Sequence, residues 1–434
     1  MDHVDHVHPV EDLVPLEQVQ EMVLSRCSRL GLDELPLAAA LGAVLASEVV
    51  VDEPIPPFAN TAMDGYAVRS VDVASAPVEL RVVGVLPAGA PPPTEPLGAG
   101  ETWQIMTGAP MPPGADAVAI VERTERVGEG RVRVLDPAGP GLNVRPAGSD
   151  YQTGAVAVDA GTLLTPAHLG VLASVGRSTV STWRRPVVGV MSTGDELVDA
   201  GVPLHPGQIR ESNRMTLGAF VRHAGFPVLD LGTVRDTEAD LEAALEHAGE
   251  ACDVVLSSGG VSKGEFDFVK VVLDRLATRA AGQGGESFEL GVAIRPAKPL
   301  ALAWLPRTGG AAPEVRPPVA FFGLPGNPVS AVVSFLVVAL PAMRKMAGWP
   351  EPLPRRIPAV ALDGLRPSSD GRLNLLRVTA SAGPDGRLVV RSAGGQQSHQ
   401  LSGLSSSNAL AVVPAGVAVA VGDLVDVILF GPLV

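Results

Sequence analysis

Residues 253–270 read DVVLSSGGVSKGEFDFVK, and this stretch decides the fold of the middle of the chain. Its apolar start predicts a strand at 254–256, which runs through two serines into the pair Gly259-Gly260. A helix is predicted next, with an apolar face made of Val269, Val272, Leu273 and Leu276. Glycines at the end of a strand let the backbone pass close to a ligand, and the first N–H groups of a helix favour an anion. The stretch is therefore typical of a site for a phosphorylated small molecule.

The same change from apolar strand to polar turn recurs three more times. The further strands are predicted at Val187–Met191, Val228–Leu231 and Val319–Phe322. Strands that alternate with helices predict a parallel sheet with helices on both faces. The carboxyl ends of parallel strands lie along one edge, where ligands bind. We therefore expect Glu196, Asp236 and Asp267 to converge on one crevice, although they are far apart in the chain.

Composition restricts the class of protein. A length of 434 residues suggests about three domains, and 46% apolar residues suffice for real cores. The net charge of −14 argues against nucleic acid and against anionic membrane surfaces as partners. An anionic substrate would therefore need a locally positive or metal-bridged site.

The two cysteines and the amino terminus favour a cytoplasmic protein. Cys27 and Cys252 lie in apolar contexts, which indicates buried thiols in a reducing compartment and not a disulfide. The start, MDHVDHVHPV, is polar and has no features of a signal peptide. Its histidines, His3, His6 and His8, could bind a metal, but a mobile terminal tail is the favoured interpretation.

A long uncharged stretch, 317–343, predicts a core strand, a turn and a core helix. GLPGNP interrupts it, and the helix has about a dozen apolar positions before Pro341, fewer than the roughly 20 residues of a membrane span. No membrane association is expected.

Four regions are predicted from the spacing of apolar residues and the positions of proline and glycine. Residues 1–57 and 143–185 form a helical region, 58–142 an inserted β domain, 186–348 an α/β domain and 349–434 a small β barrel or sandwich. In the helical region, apolar residues recur at helical spacing over 16–30 and again over 37–45. Thr165 before Pro166, and Thr237 before Asp240, are expected to cap helices.

Acidic residues at the predicted strand ends indicate a metal site. Mg²⁺ beside a phosphate takes one or two carboxylates and completes its shell with phosphate oxygens and water. Glu196, Asp236 and Asp267 could supply such ligands, and Asp64 lies in an uncommon cluster, TAMDGYA. The alternative for Asp195 and Asp236 is that they cap the helices that they precede.

Basic and polar loops could complete the site. VAIRPAKPL places Arg295 and Lys298 in a loop stiffened by prolines, which could supply positive charge; a solvated surface loop is the alternative. The Thr107 hydroxyl could donate to an oxyanion, although a turn-forming role is favoured. Asp150 in VRPAGSD and the segment 396–399 (QQSH) have no decided role from chemistry alone.

Several common catalytic motifs are absent from the sequence. It contains no P-loop, HExxH or paired CxxC motif, and nothing indicates a covalent nucleophile. Metal-assisted chemistry on a phosphate or phosphoanhydride remains.

Seven motifs in a fixed order resemble those of a known family. They are MDGYA at 63–67, TGAPMPPGADAV at 107–118, VRPAGSD at 144–150, STGDEL at 192–197, GQIRESN at 207–213, SSGGVSKGEFDF at 257–268 and GLPGNPVS at 323–330. This set, which spans nearly the whole chain, resembles the MoeA/gephyrin family of molybdopterin molybdenumtransferases. The resemblance implies an α/β multidomain fold with a parallel-sheet molybdopterin-binding domain, a helical linker region, an inserted β domain and a C-terminal β barrel. It also implies a homodimer with its site between subunits.

The resemblance further implies a reaction and a set of residues. The reaction inserts molybdate into adenylylated molybdopterin and releases AMP and molybdenum cofactor with the help of Mg²⁺. The implied catalytic residues are Asp64, Thr107, Glu196, Asp236 and Asp267, of which the last three would hold the metal. The implied substrate-binding residues are Asp150, Ser258, Gly259, Gly260, Ser262, Arg295, Lys298, Pro325 and Pro328.

One loop departs from the family pattern. Where the family usually has KPGKP, this chain has RPAKP at 295–299. Arginine offers a planar fork of donors where lysine offers a point charge. Ala297 replaces the loop's glycine, which restricts the backbone there.

Two other functions share some of these motifs. A scaffold or receptor-clustering role, as gephyrin also has, would bind without turnover, but it usually needs an added linker and partner domain. An adenylyltransferase of the same pathway shares the α/β domain, but it would not require MDGYA or the C-terminal domain. Such an adenylyltransferase is instead expected as a partner.

Overall fold

The structure is a computed structural model that describes residues 13–261, 268–280, 282, 284–307, 317–368 and 370–433. The histidines of the amino terminus lie outside these residues, as do the candidate site residues Ser262 and Asp267. The chain divides into two compact units. The smaller unit contains residues 34–41 and 45–181, and the larger unit contains residues 1–33, 42–44 and 182–434.

The first part of the chain is mostly β structure. Its elements are α1 (Leu16–Arg26), β1 (Leu32–Pro36), a 3₁₀ turn (Leu37–Ala39), β2 (Val49–Val50), β3 (Asn60–Thr61), β4 (Gly65–Val68), β5 (Val78–Leu86), β6 (Glu101–Ile105), β7 (Ala117–Ile120), β8 (Thr124–Arg126), β9 (Arg131–Val134), β10 (Val144–Arg145), β11 (Val156–Val158), α2 (Pro166–Ser174) and β12 (Thr179–Trp183). In the smaller unit, six strands form one sheet in the order β7-β4-β6-β5-β9-β8. Its two faces bury alternate residues, with Tyr66 and Val68 in one cluster and Ala67 in another.

The helix predicted over 37–45 is wrong. Only Leu37–Ala39 make a 3₁₀ turn, and Gly42 has a φ of 71°, a left-handed conformation that ends the turn. The N–H groups of Leu45 and Ala46 donate to the carbonyls of Thr162 and Ser181 and not to a helical neighbour. Ala40 and Leu45 are buried in the smaller unit's core, whereas Leu41 is half exposed, so the apolar spacing belongs to an irregular segment and not to a helix face.

The helix caps predicted at Thr165 and Thr237 are confirmed. Thr165 caps α2, where its hydroxyl accepts from the N–H of His168 and Pro166 occupies the first turn. In the larger unit, Thr237 likewise accepts from the N–H of Asp240, at 3.1 Å.

The larger unit continues with an α/β region and a β barrel. The elements are β13 (Val188–Thr193), β14 (Leu197–Val198), β15 (Ile209–Arg210), α3 (Asn213–His223), β16 (Val228–Val234), α4 (Glu238–Ala251), β17 (Val254–Ser258), α5 (Phe268–Arg279), β18 (Glu286–Gly291), β19 (Ile294–Arg295), β20 (Pro299–Leu305), β21 (Val319–Leu324), α6 (Pro328–Ser334), a π-helical turn (Phe335–Ala339), α7 (Leu340–Met346), β22 (Ile357–Ala361), β23 (Leu373–Ala382), β24 (Leu388–Ser392), α8 (Leu401–Ser405), β25 (Ala409–Val413) and β26 (Leu424–Leu429).

Six of these strands form a mixed sheet between two helical layers. The order is β16-β13-β17-β21-β20-β18; the first four strands are parallel, and β20 and β18 add an antiparallel edge to the predicted parallel sheet. Neighbouring residues on a strand face opposite sides, so Phe322 packs with α1, α3, α6 and α7, while Phe321 packs with α4 and α5. The predicted α/β class is confirmed.

The last strands close into a barrel. Five strands pair in the ring β23-β24-β22-β26-β25, which closes because β25 also pairs with β23. Its interior is filled largely by alanine and valine, as the narrow lumen of a five-stranded barrel requires. Strand β19, which precedes strand β20 of the mixed sheet, pairs with β23 next to the ring. The barrel strand β23 is thus hydrogen-bonded to the start of the RPAKP loop.

The apolar helix after GLPGNP is longer than predicted. It continues through Pro341 to Met346, and the 19-residue span has a mean hydropathy of 1.6 with 89% of its most apolar window buried in the protein. Proline cannot donate to the carbonyl four residues before it, which here belongs to Val337. The buried amide of Gln20 donates to that carbonyl at 2.8 Å. Since the helix is enclosed by the core, we interpret it as a core helix, as expected.

Both cysteines are buried and neither forms a disulfide, as predicted. Burial raises the pKa of the Cys27 thiol to about 11, and that of Cys252 likewise to about 11. Both thiols are therefore protonated at neutral pH.

A buried ion pair anchors the sheet at the end opposite its ligand edge. Asp253, which is 3% exposed, directly precedes β17. Its carboxylate accepts two hydrogen bonds from Arg184, at 2.8 and 3.0 Å, one from Arg307 at 2.6 Å and one from the N–H of Val187 at 2.9 Å. One carboxylate thereby connects three segments, which are the residues before β13, the start of β17 and the residues after β20.

Replacing Asp253 should destabilise the protein strongly. Asp253→Ala would leave two partly buried guanidinium groups without their carboxylate, so we expect the free energy of unfolding to fall by about 3–5 kcal/mol. Urea denaturation followed by circular dichroism measures this. The matched control is Glu351→Ala, which breaks an exposed pair with Arg355 and should cost less than about 0.5 kcal/mol. Equal losses in the two variants would contradict the anchoring role.

Candidate functional site

The parallel strands of the larger unit end together. Ser258, the last residue of β17, is paired with Ser192 of β13 on one side and with Leu324 of β21 on the other. Thr193 at the end of β13 is paired with Val234 at the end of β16. The turns that follow these four strands therefore leave the sheet along one edge, as the sequence predicts.

Two glycines at this edge are required by close packing. Gly259 and Gly260 have φ angles of 100° and 67°, which residues with a side chain rarely adopt. A Cβ on Gly259 would lie 2.5 Å from the carbonyl oxygen of Thr193, and one on Gly260 would lie 2.4 Å from a methyl group of Val269. The backbone after β17 is thus pressed against the end of β13 and the start of α5. This glycine turn, called the glycine cradle below, has the close-packed backbone that the sequence predicts, and its role in binding a substrate stays a prediction.

Polar side chains surround the glycine turn. The amide nitrogen of Asn213, at the start of α3, donates to the Ser258 hydroxyl and to the Gly326 carbonyl, both at 2.6 Å. Within the described residues, the buried Oδ1 of Asn213 and Oγ1 of Thr193 have no hydrogen-bond partner. Buried polar atoms normally find partners, which makes these two atoms candidate contacts for a ligand.

The acidic turns after β13 and β16 are neighbours. The N–H of Asp236 contacts Oδ1 of Asp195 at 3.4 Å, and Glu196 is the next residue of the same turn. The Glu196 carboxylate folds back over Gly194, where a Cβ would meet its Oε2 at 2.7 Å. In the described part of the chain, no three Asp, Glu, His or Cys side chains are close enough to hold a metal. Because Asp267 lies outside that part, the metal role of Glu196, Asp236 and Asp267 stays a prediction.

A cleft of about 680 Å³ lies beside the RPAKP loop in the larger unit. Its walls come from the loop itself, from the start of α6 and from the barrel. The polar side chains that line it are Arg295, Lys298, Asn327, Ser330, Arg366, Ser368, Asp370, Arg372, Asn374, Gln396, Gln397 and Ser398. Four of these are cations and one is an anion, so the cleft is locally positive in a chain of net charge −14.

Asp370 organises two of the cations. Arg295 donates to Oδ2 of Asp370 at 2.6 Å and to the Ser368 hydroxyl at 2.8 Å, and the Nε of Arg372 donates to the same Oδ2 at 3.0 Å. Partial burial raises the pKa of the Asp370 carboxyl, but the two arginines outweigh this and hold its pKa well below the ordinary range. The carboxylate is therefore ionised at any working pH, and both guanidinium groups keep further donors for an anion.

The loop at 323–328 joins the cradle to the cleft. The carbonyl of Pro325 accepts from the Ser258 hydroxyl at 3.4 Å, and that of Gly326 accepts from Asn213. The next residue, Asn327, lines the cleft, and Pro328 begins α6. A single turn thus contributes to both parts of the candidate site.

The remaining candidate residues lie in the smaller unit. The backbone N–H and the hydroxyl of Thr107 both donate to Oδ1 of Asp64, each at 2.7 Å. The backbone donor and then the hydroxyl lower the pKa of Asp64 below its ordinary value. Asp150 is exposed and its N–H donates to the carbonyl of Ile55 at 2.9 Å. The sequence names Asp64 and Thr107 separately; the fold makes them one exposed pair.

Several residues of the site were not predicted from the sequence. Asn213 ends the motif GQIRESN, but the sequence alone predicts no role for this side chain. Arg366, Asp370 and Arg372 carry no local signal, because only the pairing of β19 with β23 brings them beside the RPAKP loop. Segment 396–398 was noted as polar and undecided, and it forms one wall of the cleft.

Comparisons with known proteins agree with this architecture. The family profile described as the MoeA N-terminal region (domain I and II) matches residues 14–176, that of a probable molybdopterin binding domain matches 189–345, and that of the MoeA C-terminal region (domain IV) matches 359–430.

Individual relatives cover most of the chain. The molybdopterin molybdenumtransferase of Haemophilus influenzae is 36% identical over 382 residues, which is 87% of this chain and 89% of that protein. Molybdopterin molybdenumtransferase 2 of Mycobacterium tuberculosis is 37% identical over 88% of this chain and 91% of its own length. The crystal structure of a molybdopterin biosynthesis moeA protein from Pyrococcus horikoshii OT3 matches with a TM-score of 0.76 and 27% identity over 96% of this chain and 100% of that chain.

The three-layer α/β region, the glycine cradle at its ligand edge and the adjoining barrel define a multidomain protein with a molybdopterin-binding type of domain. With relatives that are more than 30% identical over most of both chains, the family is also clear. The chain belongs to the MoeA family of molybdopterin molybdenumtransferases, which are transferases of molybdenum cofactor biosynthesis.

The contact between Thr107 and Asp64 can be tested by titration. Thr107→Val removes the hydroxyl donor but keeps the backbone N–H, so the pKa of Asp64 should rise part of the way toward its ordinary value. Since the wild-type pKa is depressed, these hydrogen bonds are present above it and are lost as the pH falls through it. Carboxyl ¹³C NMR measures the shift, and Asp385, whose partner is Arg387, serves as the internal control. An unchanged Asp64 titration would show that the hydroxyl contact is not formed in solution.

Proposed function

We propose that this protein inserts molybdate into adenylylated molybdopterin and releases AMP in a Mg²⁺-dependent reaction. The cationic cleft is the observation that carries the proposal. Molybdate and a phosphoanhydride are both multiply charged anions, and a chain of net charge −14 binds them only where cations are concentrated. The cleft concentrates four of them beside a loop that also reaches the glycine cradle.

The cradle fits the pterin-bearing substrate. Backbone N–H groups, the Ser258 hydroxyl and the unpartnered atoms of Asn213 and Thr193 offer donors and acceptors to a heterocycle with a phosphate arm. Ser262 lies two residues after Gly260 in the sequence and is proposed as a further contact. We assign Pro325 and Pro328 the role of keeping their loop rigid, because proline has little backbone freedom to lose when a ligand binds.

The oxyanion would be held by the cations of the RPAKP loop and the barrel. The arginine forks of Arg295 and Arg372 match a tetrahedral oxyanion through paired N–H donors. Lys298 adds a point charge. Asp370 keeps both forks in place before the substrate arrives, so that little side-chain entropy is lost on binding.

The acidic turns suit Mg²⁺ by the chemistry of their donors. Glu196 and Asp236 are carboxylates at adjacent strand ends, and Mg²⁺ needs only one or two protein carboxylates when phosphate oxygens complete its shell. Asp267 would be a third ligand. When bound, the ion would neutralise charge on the phosphoanhydride and on the departing AMP.

The proposal extends to the assembly and the setting of the protein. We infer a cytoplasmic homodimer in which Asp64, Thr107 and Asp150 of one subunit complete the site of the other. The four regions 1–57 with 143–185, 58–142, 186–348 and 349–434 are proposed as its domains. A pathway adenylyltransferase is proposed as the protein that supplies the substrate.

One assay tests the reaction. Purified protein is incubated with adenylylated molybdopterin, Mg²⁺ and molybdate, and AMP is measured by chromatography. AMP release that requires both molybdate and Mg²⁺ is the expected result. ATP-dependent adenylylation of molybdopterin would instead favour the earlier step of the pathway, and tight binding without turnover would favour a scaffold.

The acidic residues are tested in the same assay. Asp236→Asn and Asp267→Asn should each lower turnover more than tenfold while leaving folding intact, because an amide is a weaker ligand for Mg²⁺ than a carboxylate. The matched control is Asp240→Asn, which makes the same charge change in the first turn of α4. Rates like the wild type in both site variants would remove the metal role from these residues.

A further inference from the structure

The first turn of α3 is capped by a residue that precedes the usual capping position. Ser212 occupies the N-cap position, but its side chain makes no capping hydrogen bond. The preceding residue, Glu211, takes this role, because its Oε1 accepts from the N–H of Arg214 at 2.7 Å. A serine at the N-cap ordinarily satisfies an N–H of this turn by itself, so capping alone does not require the glutamate.

The Glu211 carboxylate is buried and also bonds the central sheet. The residue is 8% exposed, and the same Oε1 accepts from the hydroxyl of Ser192 near the end of β13, at 2.8 Å. A carboxylate in the interior is costly unless its hydrogen bonds are made and a positive charge is near. Here Nε of Arg214 lies 3.8 Å from Oε2. The glutamate therefore fastens the start of α3 to the edge of the sheet where the glycine cradle lies.

A second contact holds the same turn to the neighbouring strand. Asn213, the first residue of α3, donates from Nδ2 to the hydroxyl of Ser258 in β17, at 2.6 Å. Ser258 is also the residue that pairs with Ser192 in the sheet. The two serines, Glu211 and Asn213 thus form a closed ring of contacts, which we call the α3 ring. Asn213 is held in this ring through its own side chain and through the residue two positions before it.

The α3 ring leaves the Asn213 amide with one orientation. Its nitrogen has two hydrogens and both are used, since Nδ2 also donates to the carbonyl of Gly326 at 2.6 Å. A carbonyl only accepts, so the prong of the amide that faces Gly326 is the NH₂ group. The Oδ1 atom on the other prong is buried and has no partner among the described residues. The side chain therefore offers a ligand an acceptor and no donor.

An acceptor at this position selects for a donor. The ionised oxygens of molybdate and of a phosphoanhydride carry no hydrogen and are repelled by another oxygen acceptor, whereas an N–H group of a heterocycle is complementary to it. Leaving a buried acceptor unpaired is costly, so a ligand group with a matching donor is favoured over one without. The Asn213 amide thus distinguishes the heterocyclic part of a substrate from its anionic part.

We propose that Glu211 is a positioning residue for substrate binding, which fixes the Asn213 amide so that its Oδ1 accepts an N–H of the substrate's heterocycle. This inference rests on the proposed function and deepens it, because it separates recognition of a ring system from binding of the oxyanion. The donor belongs to the pterin or to the adenine of adenylylated molybdopterin, since both rings carry amino groups. Glu211 acts only through Asn213.

Binding of the two parts of the substrate tests the inference. Isothermal titration calorimetry under exclusion of air measures the dissociation constants of molybdopterin and of AMP for the wild type, Asn213→Ala and Glu211→Ala. Both variants should weaken one of these ligands about fivefold or more, the loss expected when a hydrogen bond to a buried acceptor is removed, and leave the other within about twofold. Loss for molybdopterin assigns the donor to the pterin, and loss for AMP assigns it to the adenine. In the AMP-release assay, the KM for adenylylated molybdopterin should rise similarly, while kcat changes by less than about twofold.

A double variant separates positioning from general damage to the structure. If Glu211 acts through Asn213, then Glu211→Ala adds nothing to the loss of affinity in a protein that already carries Asn213→Ala. Glu211→Gln, which keeps an Oε1 acceptor for both donors, should recover most of the affinity. Ser192→Ala breaks the α3 ring from the side of the strand and should weaken the same ligand, even if Glu211→Ala does not fold. The matched control is Ser212→Ala, which truncates the neighbouring side chain and should leave both dissociation constants unchanged.

The outcomes separate this inference from the proposed function. Wild-type affinity for both ligands in folded Asn213→Ala, or in folded Glu211→Ala and Ser192→Ala, would overturn it. So would fully additive losses in the double variant, equal weakening of both ligands, or a wild type that binds neither. A wild type that binds molybdopterin but releases no AMP contradicts the proposed function alone, and the binding comparison then decides the role of Glu211.

Discussion

The parallel pairing of β13, β16, β17 and β21 is the constraint on which the rest of the structure depends. Because Ser258 is paired with both Ser192 and Leu324, three distant segments end at one level of the sheet. The turn after β17 must then pass directly beside the end of β13, and the carbonyl of Thr193 leaves no room for a side chain at Gly259. The glycines thus serve the packing of this edge, and the polar atoms around them owe their positions to the same register.

The cleft beside the sheet edge concentrates positive charge. It gathers arginines from two chain segments that are joined by the pairing of β19 with β23. Nη1 of Arg295 donates both to a hydroxyl and to a carboxylate of the barrel, and this links the RPAKP loop to the barrel. Ala297 has a φ of 83° within that loop.

Sequence patterns predicted the local structure correctly where that structure depends on residues close together in the chain. The strands that end in polar turns, the stripe on α5 and the caps at Thr165 and Thr237 all formed as predicted. The helix prediction for residues 37–45 was wrong because apolar spacing does not show which groups accept a segment's backbone hydrogen bonds. Here the acceptors are carbonyls near 162 and at 178–181. The length of the helix through Pro341 was underestimated for a similar reason. The carbonyl of Val337, which the proline cannot bond, accepts from the side-chain amide of Gln20, more than 300 residues away.

The class of fold, the order of the motifs and the residue types of the strand-end turns follow from the sequence alone. Each depends on apolar residues that repeat every two to four positions or on contiguous glycine-rich motifs. Only the tertiary structure shows which residues line the cationic cleft. The same holds for the contact between Asp64 and Thr107. It also holds for the position of Arg377, which in the sequence is an ordinary polar residue in a strand. Arg377 is completely buried and donates to the carbonyls of Gly395 and Gln397. Burial and contacts of this kind depend on which distant segments the fold places around a side chain.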